Sequence, residues 1–140
     1  MKIITSIAVD EMDTIADRTM GLEGLADVVE LRLDCCTQID LQRLSALIKN
    51  QPMSFMLTLR RNDQGGAFSG DEAQRLQLLD ALAKLRPDYL DIEYDVDADF
   101  FTQIKQRSPT TQIVCSYHDF ESTPEDLSSI YQTMQQKPAD

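Results

Sequence analysis

Residues 28–34 read Val28-Val29-Glu30-Leu31-Arg32-Leu33-Asp34, and their alternation decides the fold. β-Branched and apolar residues at this density predict a strand over Val28–Leu33. Side chains alternate across a strand. Val29, Leu31 and Leu33 therefore share one face, and Glu30, Arg32 and Asp34 share the other. Three further runs split the same way. Over Ser54–Leu59, Phe55, Leu57 and Leu59 oppose Met56, Thr58 and Arg60. Over Tyr89–Tyr94, Leu90, Ile92 and Tyr94 oppose Asp91, Glu93 and Asp95. Over Gln112–Tyr117, Ile113, Cys115 and Tyr117 oppose Val114, Ser116 and His118. Ile3–Val9 is a fifth run of strand composition.

Helical periodicity fills the intervals. Leu41, Leu44, Leu47 and Ile48 repeat at three- and four-residue steps, as do Leu76, Leu79, Leu82 and Ala83, with a shorter stripe at Phe100, Phe101 and Ile104. A first helix is expected within Asp13–Leu25, weakened at its end by Gly21 and Gly24. A last one is expected to start with Thr123 as cap, Pro124 at its first position and Asp126 closing a capping box. Strand and helix in strict alternation imply an α/β fold with a parallel sheet and helical crossovers. The strands recur about every 27 residues, so eight units would take about 220 residues, the size of a (β/α)8 barrel. Residues 1–140 thus read as a single domain of TIM-barrel type with only about the first five βα units present. The competing architecture is a complete five-stranded doubly wound sheet. Strands covered on both faces should be apolar on both, and these are not.

Composition narrows the function classes. Apolar residues are 42% and charged residues 26%, an ordinary globular balance. No apolar run approaches the roughly 20 residues of a membrane span, and the short run before Asp10 is no signal peptide. Thirteen Lys and Arg against 24 Asp and Glu give a net charge of -11, which repels phosphate backbones and argues against nucleic acid. Cys35, Cys36 and Cys115 form neither a disulfide framework nor a zinc spacing, and fit a reducing cytoplasm.

The polar faces carry the chemistry. Water is one answer to them, as in half-exposed antiparallel sheets. A site is the other: the polar residues fall near the carboxyl ends of successive parallel strands, where barrel active sites open. They bring both signs of charge, hydroxyls and the single histidine, His118. Imidazole exchanges protons near neutral pH. Arg32 and Arg60 suit a carboxylate or phosphate, or else pair with Glu30, Asp91 or Glu93. Residues 61–70, with Gly65, Gly66 and Gly70, read as a mobile loop that is either a lid or an ordinary connection. Glu30, Asp34, Asp91, Glu93 and His118 also offer ligands to a divalent ion, although the two arginines already supply counter-charge.

The segments Glu30-Leu31-Arg32-Leu33-Asp34, Thr58-Leu59-Arg60 followed by Gly65-Gly66, Tyr89-Leu90-Asp91-Ile92-Glu93 and Ser116-Tyr117-His118-Asp119-Phe120 resemble type I 3-dehydroquinate dehydratase. They stand in that family's order and span nearly the whole chain. The resemblance implies a (β/α)8 barrel that converts 3-dehydroquinate to 3-dehydroshikimate in the shikimate pathway of aromatic amino acid biosynthesis. It uses no metal and no organic cofactor: a lysine forms a Schiff base with the substrate ketone and a histidine relays the proton. By that resemblance His118 is the catalytic histidine, and Ser6, Glu30, Arg32 and Arg60 are substrate-binding positions. Gln64, Asp91 and Glu93 are supporting groups, with Gln64 standing where the family often has Glu.

The family's Schiff-base lysine lies on the sixth strand, and the sequence reaches Lys137-Pro138-Ala139-Asp140 at that strand's threshold. Lys2, Lys49, Lys84, Lys105 and Lys137 all fall away from the carboxyl ends of the strands. The expected partners are therefore the small-molecule substrate and either a second copy of the chain or a complementing barrel segment. Two other readings stay open: a metal-dependent barrel lyase or hydrolase, and a non-catalytic half-barrel that pairs with a partner.

Overall fold

The computed structural model describes residues 1–140. Each strand run becomes a five-residue strand: β1 (Ile4–Ala8), β2 (Val28–Arg32), β3 (Ser54–Thr58), β4 (Tyr89–Glu93) and β5 (Gln112–Ser116). Between and after them lie α1 (Ile15–Thr19), α2 (Leu41–Asn50), α3 (Glu72–Ala83), α4 (Ala98–Arg107) and α5 (Leu127–Gln135). All pairings are parallel, and the strand order is β1-β2-β3-β4-β5. A doubly wound sheet reverses its order at a switch point. This sheet never does, so the barrel-type order holds and the doubly wound alternative falls.

Aspartates cap α2, α3, α4 and α5. Asp40 accepts from the backbone N–H groups of Gln42 and Arg43 at the head of α2. Asp71 and Gln74 close a reciprocal capping box on α3. On α5 the sequence signal misplaces the start. Asp126 is itself the cap, accepting from the Ser129 N–H at 2.9 Å, and Thr123 and Pro124 lie outside the helix. A carboxylate is the stronger acceptor for the free N–H groups of a first turn. The first helix is also shorter than its window: α1 ends at Thr19, and Gly21 follows in the left-handed region at φ 84°.

One hydrophobic core forms, on one side of the sheet. Val29, Leu31, Leu33, Phe55, Leu57, Leu59, Leu90, Ile92 and Ile113 from the strands meet Leu44, Leu79, Leu82, Phe101 and Ile104 from the helices. Full burial of each such leucine or phenylalanine stabilises the fold by about 1.5–3 kcal/mol. The opposite sheet face keeps the polar set, and it is this one-sided covering that leaves Glu30, Arg60, Asp91 and Ser116 side by side.

The sheet is not uniform. β1–β2, β2–β3 and β4–β5 each align along five residues, whereas β3 and β4 pair only at Met56–Tyr89 and Leu57–Leu90. Towards their carboxyl ends β3 and β4 part. Beyond β5, the backbone N–H of Asp140 donates to the Ile113 carbonyl at 3.0 Å. The Asp140 carboxylate in turn accepts from the Ile113 N–H at 2.9 Å, so this one residue occupies both main-chain groups of Ile113 on the β5 edge.

Candidate active site at the carboxyl ends of the strands

The polar face builds into three linked groups. The first is a row across β1, β2 and β3. The Glu30 carboxylate accepts from the Ser6 hydroxyl on one oxygen and from the Thr58 hydroxyl, at 2.8 Å, on the other. Ser6 lies beside Glu30 in register, whereas Thr58 is opposite Arg32 and reaches Glu30 on the diagonal. The second group is a clasp between the last residue of β2 and the turn that follows it. Arg32 donates from Nε and Nη2 to the two oxygens of Asp34 at 2.9 and 2.8 Å. Burial raises the pKa of Asp34, but Arg32 and the Ala67 N–H outweigh it and hold the group below the usual carboxylate range. Arg32 therefore pairs with Asp34, not with Glu30, Asp91 or Glu93, and stays about a quarter exposed.

The third group is buried. Arg60 donates to the Ser116 hydroxyl at 2.6 Å and pairs with Asp91 at 2.9 Å and Glu93 at 3.4 Å. Of the two readings of this arginine, the pairing with Asp91 and Glu93 is the one observed, and the side chain is only 3% exposed. The Ser116 hydroxyl donates to Asp91 at 2.8 Å. Burial pushes Asp91 up to about 6, against the pull of Arg60 and Ser116.

His118 sits two residues past β5, half-buried, with its ring stacked on Phe120 at 6.2 Å between centroids. Its Nδ1 is buried and has no hydrogen-bond partner. Burial lowers its pKa, and Arg60 and Arg32 lower it further against the opposing fields of Glu30 and Glu93. Imidazole is thus neutral at pH 7 and able to accept a proton. Gln64 is buried nearby, but its Oε1 accepts from the His118 backbone N–H at 3.1 Å. It positions the histidine's main chain and leaves the ring free. A cleft of about 570 Å³ opens against His118, with Gln64, Tyr94, Tyr117 and Phe120 among its walls.

The glycine loop after β3 is fastened more firmly than its composition suggests. Gly66 N–H donates to the Arg61 carbonyl at 2.8 Å, Phe68 N–H to the Arg60 carbonyl at 3.2 Å, and Ala67 N–H to Asp34 at 3.0 Å. A Cβ on Gly66 would overlap the Arg60 carbonyl group, so the close approach requires glycine.

The candidate metal donors do not converge. No three His, Cys, Asp or Glu side chains group as a metal ion would require. Each carboxylate is turned instead to an arginine or a hydroxyl.

A family model described as type I 3-dehydroquinase matches residues 3–140. The chain belongs to that family. Among curated relatives of this type I 3-dehydroquinase family member, the bifunctional 3-dehydroquinate dehydratase/shikimate dehydrogenase of Arabidopsis thaliana is 32% identical over 99% of this chain and 24% of its own length. The 3-dehydroquinate dehydratase of Methanopyrus kandleri is 31% identical over 86% of this chain and 54% of its own. The crystal structure of the 3-dehydroquinate dehydratase from Aquifex aeolicus VF5 aligns at a TM-score of 0.68 with 26% identity, covering 90% of this chain and 57% of that one. The Enterococcus faecalis enzyme aligns at a TM-score of 0.80 with 23% identity, covering 96% and 62%, and shows the shared fold. The chain spans about half the length of the single-function relatives it matches.

Sequence reading assigned no role to Arg75. It is fully buried on α3 and reaches Glu93 at 2.5 Å. The signal was present: Arg75 stands four and seven residues before Leu79 and Leu82, on the stripe that faces the core. None of the five lysines stands among the polar groups. Lys2 contacts the Tyr89 hydroxyl at the amino end of the sheet, Lys84 pairs with Asp80, Lys105 with Asp140, and Lys137 donates to the Val96 carbonyl. Lys49 lies in the last turn of α2.

Proposed function

We propose that these residues form the proton-transfer and substrate-binding side of a 3-dehydroquinate dehydratase, a carbon–oxygen lyase. The observation that carries the reading is His118: neutral, with a buried, unpartnered Nδ1, on the same sheet side as Arg60 and Glu30. The substrate is a small polyhydroxylated carboxylate with a ketone. Arg32, which keeps its outer edge open, suits the carboxylate. Glu30, with its two hydroxyl neighbours, suits the substrate hydroxyls. An amine condenses with the ketone and releases water, and the resulting iminium is an electron sink for the adjacent C–H bond. His118 takes that proton, the electron pair moves into the iminium, and the enamine then expels hydroxide, which leaves as water on accepting the proton from His118. Hydrolysis of the iminium returns the amine and gives 3-dehydroshikimate.

The amine is not one of the five lysines placed above, so this reading takes it from outside residues 1–140. Carboxylates that are turned to arginines and hydroxyls lend no support to the metal-dependent alternative.

The test is intact mass after incubation with 3-dehydroquinate and borohydride, with product absorbance followed in parallel. The chain alone is expected to give neither adduct nor product. Mixed with a polypeptide carrying the remaining strands of a relative's barrel, it is expected to give both. With His118→Gln in the mixture, the adduct should persist and product should fall at least about 10²-fold. Product formation by the His118→Gln mixture at the parent rate would overturn the assignment.

A further inference from the structure

The parting of β3 and β4 leaves backbone groups that no ladder satisfies. Side chains fill that split. Arg75 reaches in from α3, donating to the Leu59 carbonyl at 3.2 Å and to Glu93 Oε2 at 2.5 Å. Glu93 Oε1 in turn accepts from the Arg61 N–H at 3.3 Å and pairs with Arg60 at 3.4 Å. On its outer side Arg75 is gripped by Glu72, whose two oxygens accept from Nε and Nη2 at 2.8 and 2.7 Å. The guanidinium is thus a plug between two strands, held from the surface and holding Glu93 from behind. Arg75 and Glu93 are each 1% exposed at the side chain. A lone buried carboxylate would be strongly unfavourable. With one cation on each oxygen, Glu93 is fixed in place and balanced, and Arg60 retains a guanidinium edge for Asp91 and Ser116.

We propose that Arg75 is a positioning residue of the site: lodged in the β3–β4 split, it fixes Glu93 and through it Arg60, and so sets the net charge that faces His118. The inference rests on reading Arg60 and His118 as site residues, but its test requires no turnover. The groups that act on His118 are Arg60 and Arg32 on the positive side and Glu30 and Glu93 on the negative side. Removing Arg75 leaves one oxygen of Glu93 without a cation. The site then becomes more negative by one charge, and protonated imidazole is favoured.

His118 is the only histidine, so its ring protons give one titration curve by NMR on the intact chain. In Arg75→Met the midpoint is expected to move upward by about 0.5–1 in pH. In the double variant Arg75→Met/Glu93→Gln, which removes both charges, it is expected to return towards the parent value. If Arg75→Met gives no folded spectrum, Arg75→Lys carries the test. Its ammonium keeps the charge but cannot span Glu72, the Leu59 carbonyl and Glu93 together, and a smaller rise of about 0.3 is expected. A midpoint equal to the parent's in whichever single variant folds overturns the proposal, as does a double variant that matches Arg75→Met. The borohydride experiment is unaffected by either result, so failure here and failure of the dehydratase reading remain separable.

Discussion

Asp91→Asn is the substitution on which the electrostatic account of the buried cluster turns. Asp91 is 5% exposed at its side chain, and its Oδ1 accepts from Ser116 at 2.8 Å and Arg60 at 2.9 Å. An asparagine carbonyl can keep both bonds. Burial holds the folded-state pKa at about 6 against an ordinary value of 3.8. A carboxyl group whose pKa is raised on folding contributes stability below its unfolded value and loses it as pH rises through its folded value. The gap corresponds to about 3 kcal/mol once both states are ionised, near pH 7.5, and to about 1.5 kcal/mol near pH 5. Asparagine stands in for the neutral acid and carries no such term. The variant should therefore be more stable than the parent by about 2–3 kcal/mol near pH 7.5, or about 6–10 °C in melting temperature, and its advantage should shrink by about half near pH 5. Urea denaturation followed by circular dichroism at the two pH values measures both quantities. A variant that is less stable than the parent near pH 7.5, or an advantage that does not change with pH, would mean that the Arg60 pairing outweighs burial and that the reasoning is wrong.

Three other outcomes are expected. The His118 midpoint should lie below 6.5 by NMR; the stability linked to it is fully present above about pH 6.5 and is lost as pH falls through the depressed midpoint, which melts of the parent against His118→Gln across that range will read. Gly66→Ala should cost about 2–3 kcal/mol in chemical denaturation, because its Cβ would meet main chain at Arg60 and the loop would have to withdraw Ala67 from Asp34. A cost below about 0.5 kcal/mol would mean the loop is free to shift. The outer edges of β1 and β5 carry no paired strand, and Ile4 on β1 is 50% exposed. Light scattering is therefore expected to give a mass above that of the monomer, and a monodisperse monomer with a cooperative melt would contradict this.

The sequence alone determined the order of elements, the strand positions to within a residue at each end and the division of each strand into an oily and a polar face. Those are local properties: strand alternation has a period of two, and Leu31 or Leu57 can be buried only with its neighbours at even spacing. The same alternation placed Glu30, Arg60, Asp91 and Ser116 on one side. Motif order was enough to indicate the family, which the match over residues 3–140 bears out.

Pairing was not legible, because it depends on distances between segments far apart in sequence. Arg32 could have turned to any of several carboxylates, and the short hop to Asp34 on its own chain won. Gln64 could have met the imidazole, but the loop's return at Gly66 brings it to the His118 peptide instead. Arg75 lay in plain view on a core-facing stripe, yet its role exists only because β3 and β4 separate and leave room for a charge between them. Periodicity shows which face a residue takes. Only the packed sheet decides which charge it meets there, since an ion pair or hydrogen bond is fixed by ångström-scale distance and by burial, and neither is written in the spacing of residues along the chain.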